Sequence, residues 1–242
     1  MKSTRSQLFS EQRARILEAA RFLFGSGSFD DVTMAEVGRL AGVARATVFN
    51  YFRTKHALAD ALTSEVFAGY EGMLERALAL EKAPTPLLVR ALFAQMGSGI
   101  EQFYRFHRGM FREIAKIQLG LDAGSAAAKA RARAFERLRQ LLARGQERGE
   151  IRGDVEVDDL ASAFDAIANG TIHHWLYDDT TGSLRARMER AAEIFLGPVA
   201  ADGLDAAPEL VPDLSPPLRA APRPPSRRAQ KLRAPTSRRK PP

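Results

Sequence analysis

Apolar residues recur at helical spacing along most of the chain. Ile16, Ala20, Leu23 and Phe24 fall on one face of a first helix, which Gly25 and Gly27 end. Ser10 is placed to cap it, with Glu11 near its positive end. Residues 1–9 read as a flexible arm, in which Lys2 and Arg5 either bind an anion or are uninvolved. Phe29 and Val32 anchor the link to a second helix, in which Val37, Leu40 and Ala41 share a face. A third runs from about Arg45 to Phe52 and buries Val48 and Phe52. Thr54 opens a fourth, with Leu58 and Leu62 inward, and nothing breaks it through Phe67 and Tyr70 to about Leu80.

The pattern then resumes after Pro84. A helix is predicted from about Pro86 to Tyr104, carrying Leu88, Leu92, Phe93, Met96, Ile100 and Phe103. Arg105 to Leu119 is aromatic-rich without one clear face, and Gly120 to Gly124 is a loop. From Ser125 to Gly149, Phe135, Leu138, Leu141 and Leu142 share a side, and the arginines opposite read as a solvated face. Asp158–Tyr177, capped by Asp158, and Ser183–Val199 are two further amphipathic helices. They are dense in small residues (Ala161, Ala163, Ala166, Ala168, Gly170, Ala191, Ala192) that permit close helix approach. Beyond Pro198 the composition changes: ten of the thirteen prolines lie at or after Pro208. That stretch has little to bury and is expected to be disordered. The fold class is therefore all-α, with a three-helix head (1–60), a helical body (61–200) and a Pro/Arg-rich tail (201–242).

Charge divides the chain in the same way. The net +7 splits into +3 for residues 1–60, −5 for 61–214 and +9 for 215–242. An anion-binding head, a mildly acidic body and a basic tail follow. There is no cysteine, hence no disulfide and no thiolate metal site. No run approaches the ~18–20 apolar residues of a membrane span, and MKSTRSQLFSEQRAR has no apolar signal core, so a cytoplasmic location is expected.

Thr33 to Leu58 carries the local chemistry. Thr33 and Glu36 form a capping box, the hydroxyl accepting an orphan amide and the carboxylate reaching back. Gly42 suits a left-handed turn after the helix. Two short helices about a glycine turn are helix-turn-helix geometry, the second helix entering a major groove. The run Thr33, Val37, Gly38, Ala41, Gly42, Val43, Ala44, Thr47, Val48, Phe49, Asn50, Tyr51, Phe52, Lys55 and Leu58 resembles the DNA-binding signature of the TetR (tetracycline-repressor-like) family of bacterial regulators. Three positions depart from it. Ala44 stands where the family has a Ser or Thr cap, Gly38 where it has Ala, and Phe49 where it has Tyr. The first removes a cap worth roughly 0.5–2 kcal/mol, the second weakens its helix slightly, and the third removes a hydroxyl.

The resemblance and the residues together propose the contacts. Thr33 faces a phosphate at a helix N-terminus. Arg45, Ala46 and Thr47 open the recognition helix nearest the bases, Arg45 suited to guanine O6 and N7. Asn50 reaches a base edge or a phosphate, and Tyr51 and Lys55 hold phosphates. Phe49 either faces DNA or packs under its helix. The resemblance further implies a homodimer paired through the last two helices, a palindromic double-stranded operator, and a small-molecule effector enclosed by the body. Phe103, Tyr104, His107, Phe111, His173 and Trp175 are the effector candidates, with Phe93 and Phe106 beside them. They point to an apolar or aromatic ligand, unless they are plain core.

Enzyme chemistry has no signature. His173 and His174 are adjacent, so on a helix they point about 100° apart and share no ligand face. No phosphate-binding loop, nucleophile elbow, zinc or dinucleotide motif occurs. No catalytic residue, metal or cofactor is expected. The reading is a sequence-specific DNA-binding transcriptional regulator, a repressor released by its effector. The alternative is a DNA-coating or scaffolding protein without a ligand that binds mainly through its basic tail.

Overall fold

In the computed structural model, residues 4–26, 29–118, 124–177, 182–200 and 212–214 are described, with side chains apart from those of 4, 5, 26 and 103–118. Eight helices follow in order: α1 (Thr4–Ser26), α2 (Met34–Ala41), α3 (Arg45–Tyr51), α4 (Lys55–Ala79), α5 (Thr85–Gln118), α6 (Ala126–Glu147), α7 (Val157–Tyr177) and α8 (Leu184–Leu196). Among the described residues the sole extended pairing is one isolated bridge, Ile151 to Ala200.

Two apolar clusters organise these helices. The first gathers Ile16, Leu17, Ala20 and Phe24 of α1, Val37 and Ala41 of α2, Val48 of α3 and Leu58 and Leu62 of α4. The second gathers Leu74 and Ala77 of α4 with Leu88, Leu92 and Phe93 of α5, Leu138 and Leu141 of α6, Phe164 of α7 and Phe195 of α8. One helix, α4, is therefore built into both. Its proximal turns belong to the head and its distal turns to the body.

Several expectations change. Helix α1 begins at Thr4, so Ser10 lies inside it and residues 4–9 are helical rather than an arm. The first turns rest on Tyr51, whose ring meets Phe9 at 4.4 Å between centroids. Helix α5 runs unbroken for 34 residues, where a change of character was expected after Tyr104. No proline interrupts it beyond its first turn, and it packs against α1, α4, α6, α7 and α8. Helix α7 begins at Val157. Asp158 therefore sits in its first turn rather than at its cap, where its charge still suits the helix dipole.

The arginine face of α6 is not simply solvated. Arg133 meets Glu71 at 3.1 Å and Arg137 meets Glu75 at 3.7 Å, both on α4. Arg131 and Arg139 meet Asp165 and Asp158 of α7 at 2.7 and 2.8 Å. Exposed pairs of this kind contribute ~0–1 kcal/mol each, so they set register more than stability. The ends of α4 and α6 are tied more firmly. Asp60 accepts hydrogen bonds from the Ala126 and Ala127 amides at 3.1 and 3.0 Å, beside the Ser125 cap. At the other end Arg144 donates to the Leu78 and Ala77 carbonyls at 2.8 and 3.3 Å. The two helices are parallel, and each closes one terminus of the other. Partial burial and the neighbouring Arg148 pull the Arg144 pKa below its ordinary value.

Close approach needs glycine at two places. A Cβ on Gly97 would stand 2.8 Å from the Arg185 Cα, so this glycine lets α5 and α8 touch backbone to backbone. A Cβ on Gly145 would stand 2.9 Å from Thr85 Cγ2, where α6 crosses the start of α5. Finally, the expectation of disorder from residue 201 onward fails at Leu214. It is fully buried in the body cluster, because the crevice between α4 and α5 accepts its side chain and holds its backbone.

Candidate DNA-binding site

The α2–turn–α3 unit is fixed by its backbone. The Thr33 side chain accepts from the Glu36 amide at 3.2 Å, and Glu36 Oε2 accepts from the Thr33 amide at 2.9 Å. Gly42 adopts φ 69°, ψ 34°, the left-handed turn that lets the chain reverse. Val43 then donates to the Gly38 carbonyl at 2.9 Å. Gly38 has a packing reason that the sequence did not reveal. A Cβ there would stand 3.0 Å from the Val43 carbonyl and 3.1 Å from Val48 Cγ2. The cost of glycine in α2 is the condition for seating α3 this closely. Ala44 opens α3 with no side-chain cap bond.

On that frame α3 buries Val48 and presents Arg45, Ala46, Phe49 and Asn50 to the outside, with Thr47 half-buried. Arg45 lies over the Phe49 ring, its Cζ 5.3 Å from the centroid. Phe49 thus stands at the surface, 36 % exposed, as a platform rather than beneath its helix.

Two expected phosphate contacts are engaged elsewhere. The Tyr51 hydroxyl sits 2.9 Å from Gln12 Oε1 and 3.1 Å from the Phe9 carbonyl, so its single proton goes to α1. The Lys55 ammonium donates to the Phe29 and Asp30 carbonyls at 2.6 and 3.0 Å and lies 4.5 Å from the Phe29 centroid. A loop carbonyl pair and an aromatic face hold it where a phosphate contact was expected. Conversely, Arg13, Arg39 and Arg53 are exposed cations of the head that the motif does not include. Their signal in the sequence is charge alone, which does not separate a DNA face from ordinary solvated surface.

The effector candidates are less constrained. Phe103, Tyr104, His107 and Phe111 lie in α5 where side chains are outside the described residues. His173 is exposed with its ring 4.6 Å from Tyr177, so it does not face the body cluster. Trp175 packs against that cluster and donates to the Gly182 carbonyl at 2.8 Å. Phe93 is core: it meets Phe164 at 4.5 Å and Phe195 at 6.4 Å. Several buried polar atoms of the body lack a hydrogen-bond partner among the described residues, the Tyr70 hydroxyl among them. The Tyr70 hydroxyl on α4 is buried, and burial, with Asp165 nearby, pushes its pKa above the ordinary phenol value. Among the described residues no cluster of metal-ligating side chains occurs, and no helix is long and apolar enough to cross a membrane.

Comparisons with known proteins agree with this geometry. A family model described as bacterial regulatory proteins, tetR family, matches residues 16–62. A second, the SbtR-like transcriptional regulator C-terminal domain, matches residues 90–189. No curated protein matches. Among solved structures, the repressor SmeT of the Stenotrophomonas maltophilia multidrug efflux pump SmeDEF is similar at a TM-score of 0.67 and 22% identity, over 84% of this chain and 97% of its own. FadR of Thermus thermophilus, a transcriptional repressor in complex with lauroyl-CoA, is similar at 0.58 and 23%, over 76% and 93%. FadR of Bacillus subtilis, in complex with stearoyl-CoA, is similar at 0.61 and 17%, over 76% and 97%.

Proposed function

Because the chain belongs to the TetR family of bacterial regulatory proteins, it is a DNA-binding transcriptional regulator, and we propose that it acts as a homodimeric repressor released from a palindromic operator by a small molecule. The observation that carries this reading is the outer face of α3. Arg45, Ala46, Phe49 and Asn50 are exposed together on a helix whose inner face is locked by Val48 and by the Gly38 contact. Arg45 reads a base edge, and exposed cations such as Arg39 and Arg53 meet phosphates.

A second copy has a surface to meet. Ala163, Ala166 and Gly170 leave an exposed small-residue face on α7, and Ile194 of α8 is 68 % exposed. A pair of heads then reads two half-sites about 34–36 Å apart, or a multiple of that. For the effector, the support is the unpartnered Tyr70 hydroxyl inside an apolar body, and the acyl-CoA complexes of two proteins with this fold. A ligand that fits one position of α4 better than another shifts head spacing by that difference in affinity.

Selection of operators from random duplexes by the purified protein tests the reading. A palindromic consensus is expected, and Arg45→Ala should relax one base position by ~1–3 kcal/mol of discrimination. A wild-type pool without consensus defeats the proposal. The DNA-coating alternative has no support in the comparisons. Deleting residues 215–242 separates the two directly: a regulator keeps its operator with a shallower salt dependence, whereas a coating protein loses binding altogether.

A further inference from the structure

Pro212, Asp213 and Leu214 lie in the crevice between α4 and α5, and two side chains grip them. Arg76 Nε on α4 donates to the Leu214 carbonyl at 2.6 Å, and Gln95 Nε2 on α5 donates to the Pro212 carbonyl at 2.7 Å. The Leu214 side chain fills an apolar hole in the body cluster and is fully buried. Carbonyls two residues apart face the same way in an extended strand, so one edge of a short segment is held from two helices.

The grip is incomplete. Arg76 Nη2 and Gln95 Oε1 are both buried and have no hydrogen-bond partner among the described residues. Nη2 lies beside Nε on one edge of the guanidinium, and that edge is a fork for two acceptor oxygens. Elsewhere in this chain the same edge takes a whole carboxylate: Arg90 Nε and Nη2 donate to Glu193 Oε1 and Oε2 at 2.7 and 3.1 Å. At Arg76 a peptide carbonyl brings one oxygen, so one tine is filled and the other is dry. Glycine makes room for this arrangement. Arg76 Nη1 stands 3.3 Å from where a Cβ on Gly72 would be, which leaves the guanidinium folded back along α4 with its fork toward the crevice.

We propose that the crevice between α4 and α5 is a binding site for an apolar carboxylate. Its two oxygens take Arg76 Nε and Nη2, and a branched aliphatic group of leucine size takes the hole that Leu214 fills. In a peptide ligand a backbone N–H also donates to Gln95 Oε1. The segment 212–214 is a tethered occupant that supplies the apolar anchor and one of the two oxygens. Two sources carry this chemistry, a peptide ending in leucine and a free short-chain acid.

The test uses the full-length protein with Leu214→Gly, which empties the hole without adding a charge. It is titrated by NMR with the acetylated peptide Val-Pro-Asp-Leu as free acid, the same peptide as C-terminal amide, and 4-methylpentanoate. The free acid should bind saturably and about tenfold more tightly than the amide, since the amide removes the charge that the fork reads. Binding should be weaker to the wild-type chain, whose own segment competes, and adding Arg76→Gln should erase the preference for the acid. Competition by 4-methylpentanoate assigns a free acid as sufficient; its failure assigns a peptide end. Equal binding of acid and amide overturns the proposal, as does equal binding to the wild-type chain. So does a lack of saturation in both Leu214→Gly and Leu214→Asn when both keep the wild-type helical circular dichroism. No DNA is present, so the result is independent of the operator selection.

Discussion

The head and the body are both helical, yet they are held by different kinds of interaction. In the head the bonds that shape the α2–turn–α3 unit and open α4 are local. Thr33 and Glu36 are three residues apart, Thr54 caps the amide of Ala57, and Gly42 turns the chain between neighbouring helices. In the body they join residues far apart in sequence. Asp60 closes α6, Arg144 closes α4, Glu150 accepts from the Thr85 amide at 2.7 Å, and Arg90 reaches Glu193. Local caps make an element that is rigid by itself and can be presented to DNA as a unit. In the body, long-range ties together with one shared apolar cluster set how the helices sit on one another. That division suits the proposed reading of a ligand-responsive body joined to a DNA reader.

The largest test of this contrast is Phe93→Ala. It empties the centre of the body and should cost ~3–5 kcal/mol by chemical denaturation. Hydrogen exchange should rise in α5, α7 and α8 and stay low at Ile16–Phe24, Val37 and Val48; equal loosening of both regions would mean one core rather than two. Lys55→Ala comes next, at roughly 1.5 kcal/mol, the low end for a charged hydrogen-bonding group because its carbonyl partners are part-exposed. The loss should appear in the thermal stability of the head, with the salt dependence of DNA binding unchanged. A shallower salt slope at unchanged stability would return Lys55 to the phosphate role. Ala44→Ser supplies the local cap that α3 lacks and should raise stability by ~0.5–1 kcal/mol. The smallest effect belongs to Glu193. Its bond to Arg90 holds the carboxyl pKa below the ordinary value, so it stabilises the fold above the ordinary glutamate range. That contribution is lost as pH falls through the lowered value. Glu193→Gln should therefore be less stable than wild type at neutral pH by under ~1 kcal/mol and converge with it in acid; parallel stability curves would remove the pair from the body's ties.

The same contrast explains what could be read in the sequence. The capping box at Thr33, the turn at Gly42, the bare start at Ala44 and the cap at Thr54 are signals whose partners lie within a few residues. Each stands in the structure as the pattern indicates. What the pattern did not show concerns side chains whose partners are distant. Lys55 has the charge of a phosphate ligand, but Phe29 and Asp30 hold it across the head. Tyr51 presents its hydroxyl to α1, 39 residues away at Gln12. Gly38 looked like a weak point in one helix and is a contact between two. The unbroken α5 was obscured because its second half mixes aromatic residues with Arg105, Arg108, Arg112 and Lys116, which hides the continuing helical pattern. Leu214 was invisible for a plainer reason: the prolines around it break any helical or strand periodicity.

The reciprocal closure of α4 and α6 has a mechanical consequence. Two parallel rods pinned to each other at both ends do not slide; they translate together or rock as one bar. The proximal pin, Asp60, is five residues past the start of α4, roughly 8 Å along its axis. A displacement at the beginning of α6 would act on α4 through Asp60, over a short arm from the head end of that helix. A push on the far end at Arg144 acts about 27 Å away from that pin and swings the whole bar. The bar is geared: its near end is a sensitive input of small travel, and its far end a coarse one of large travel.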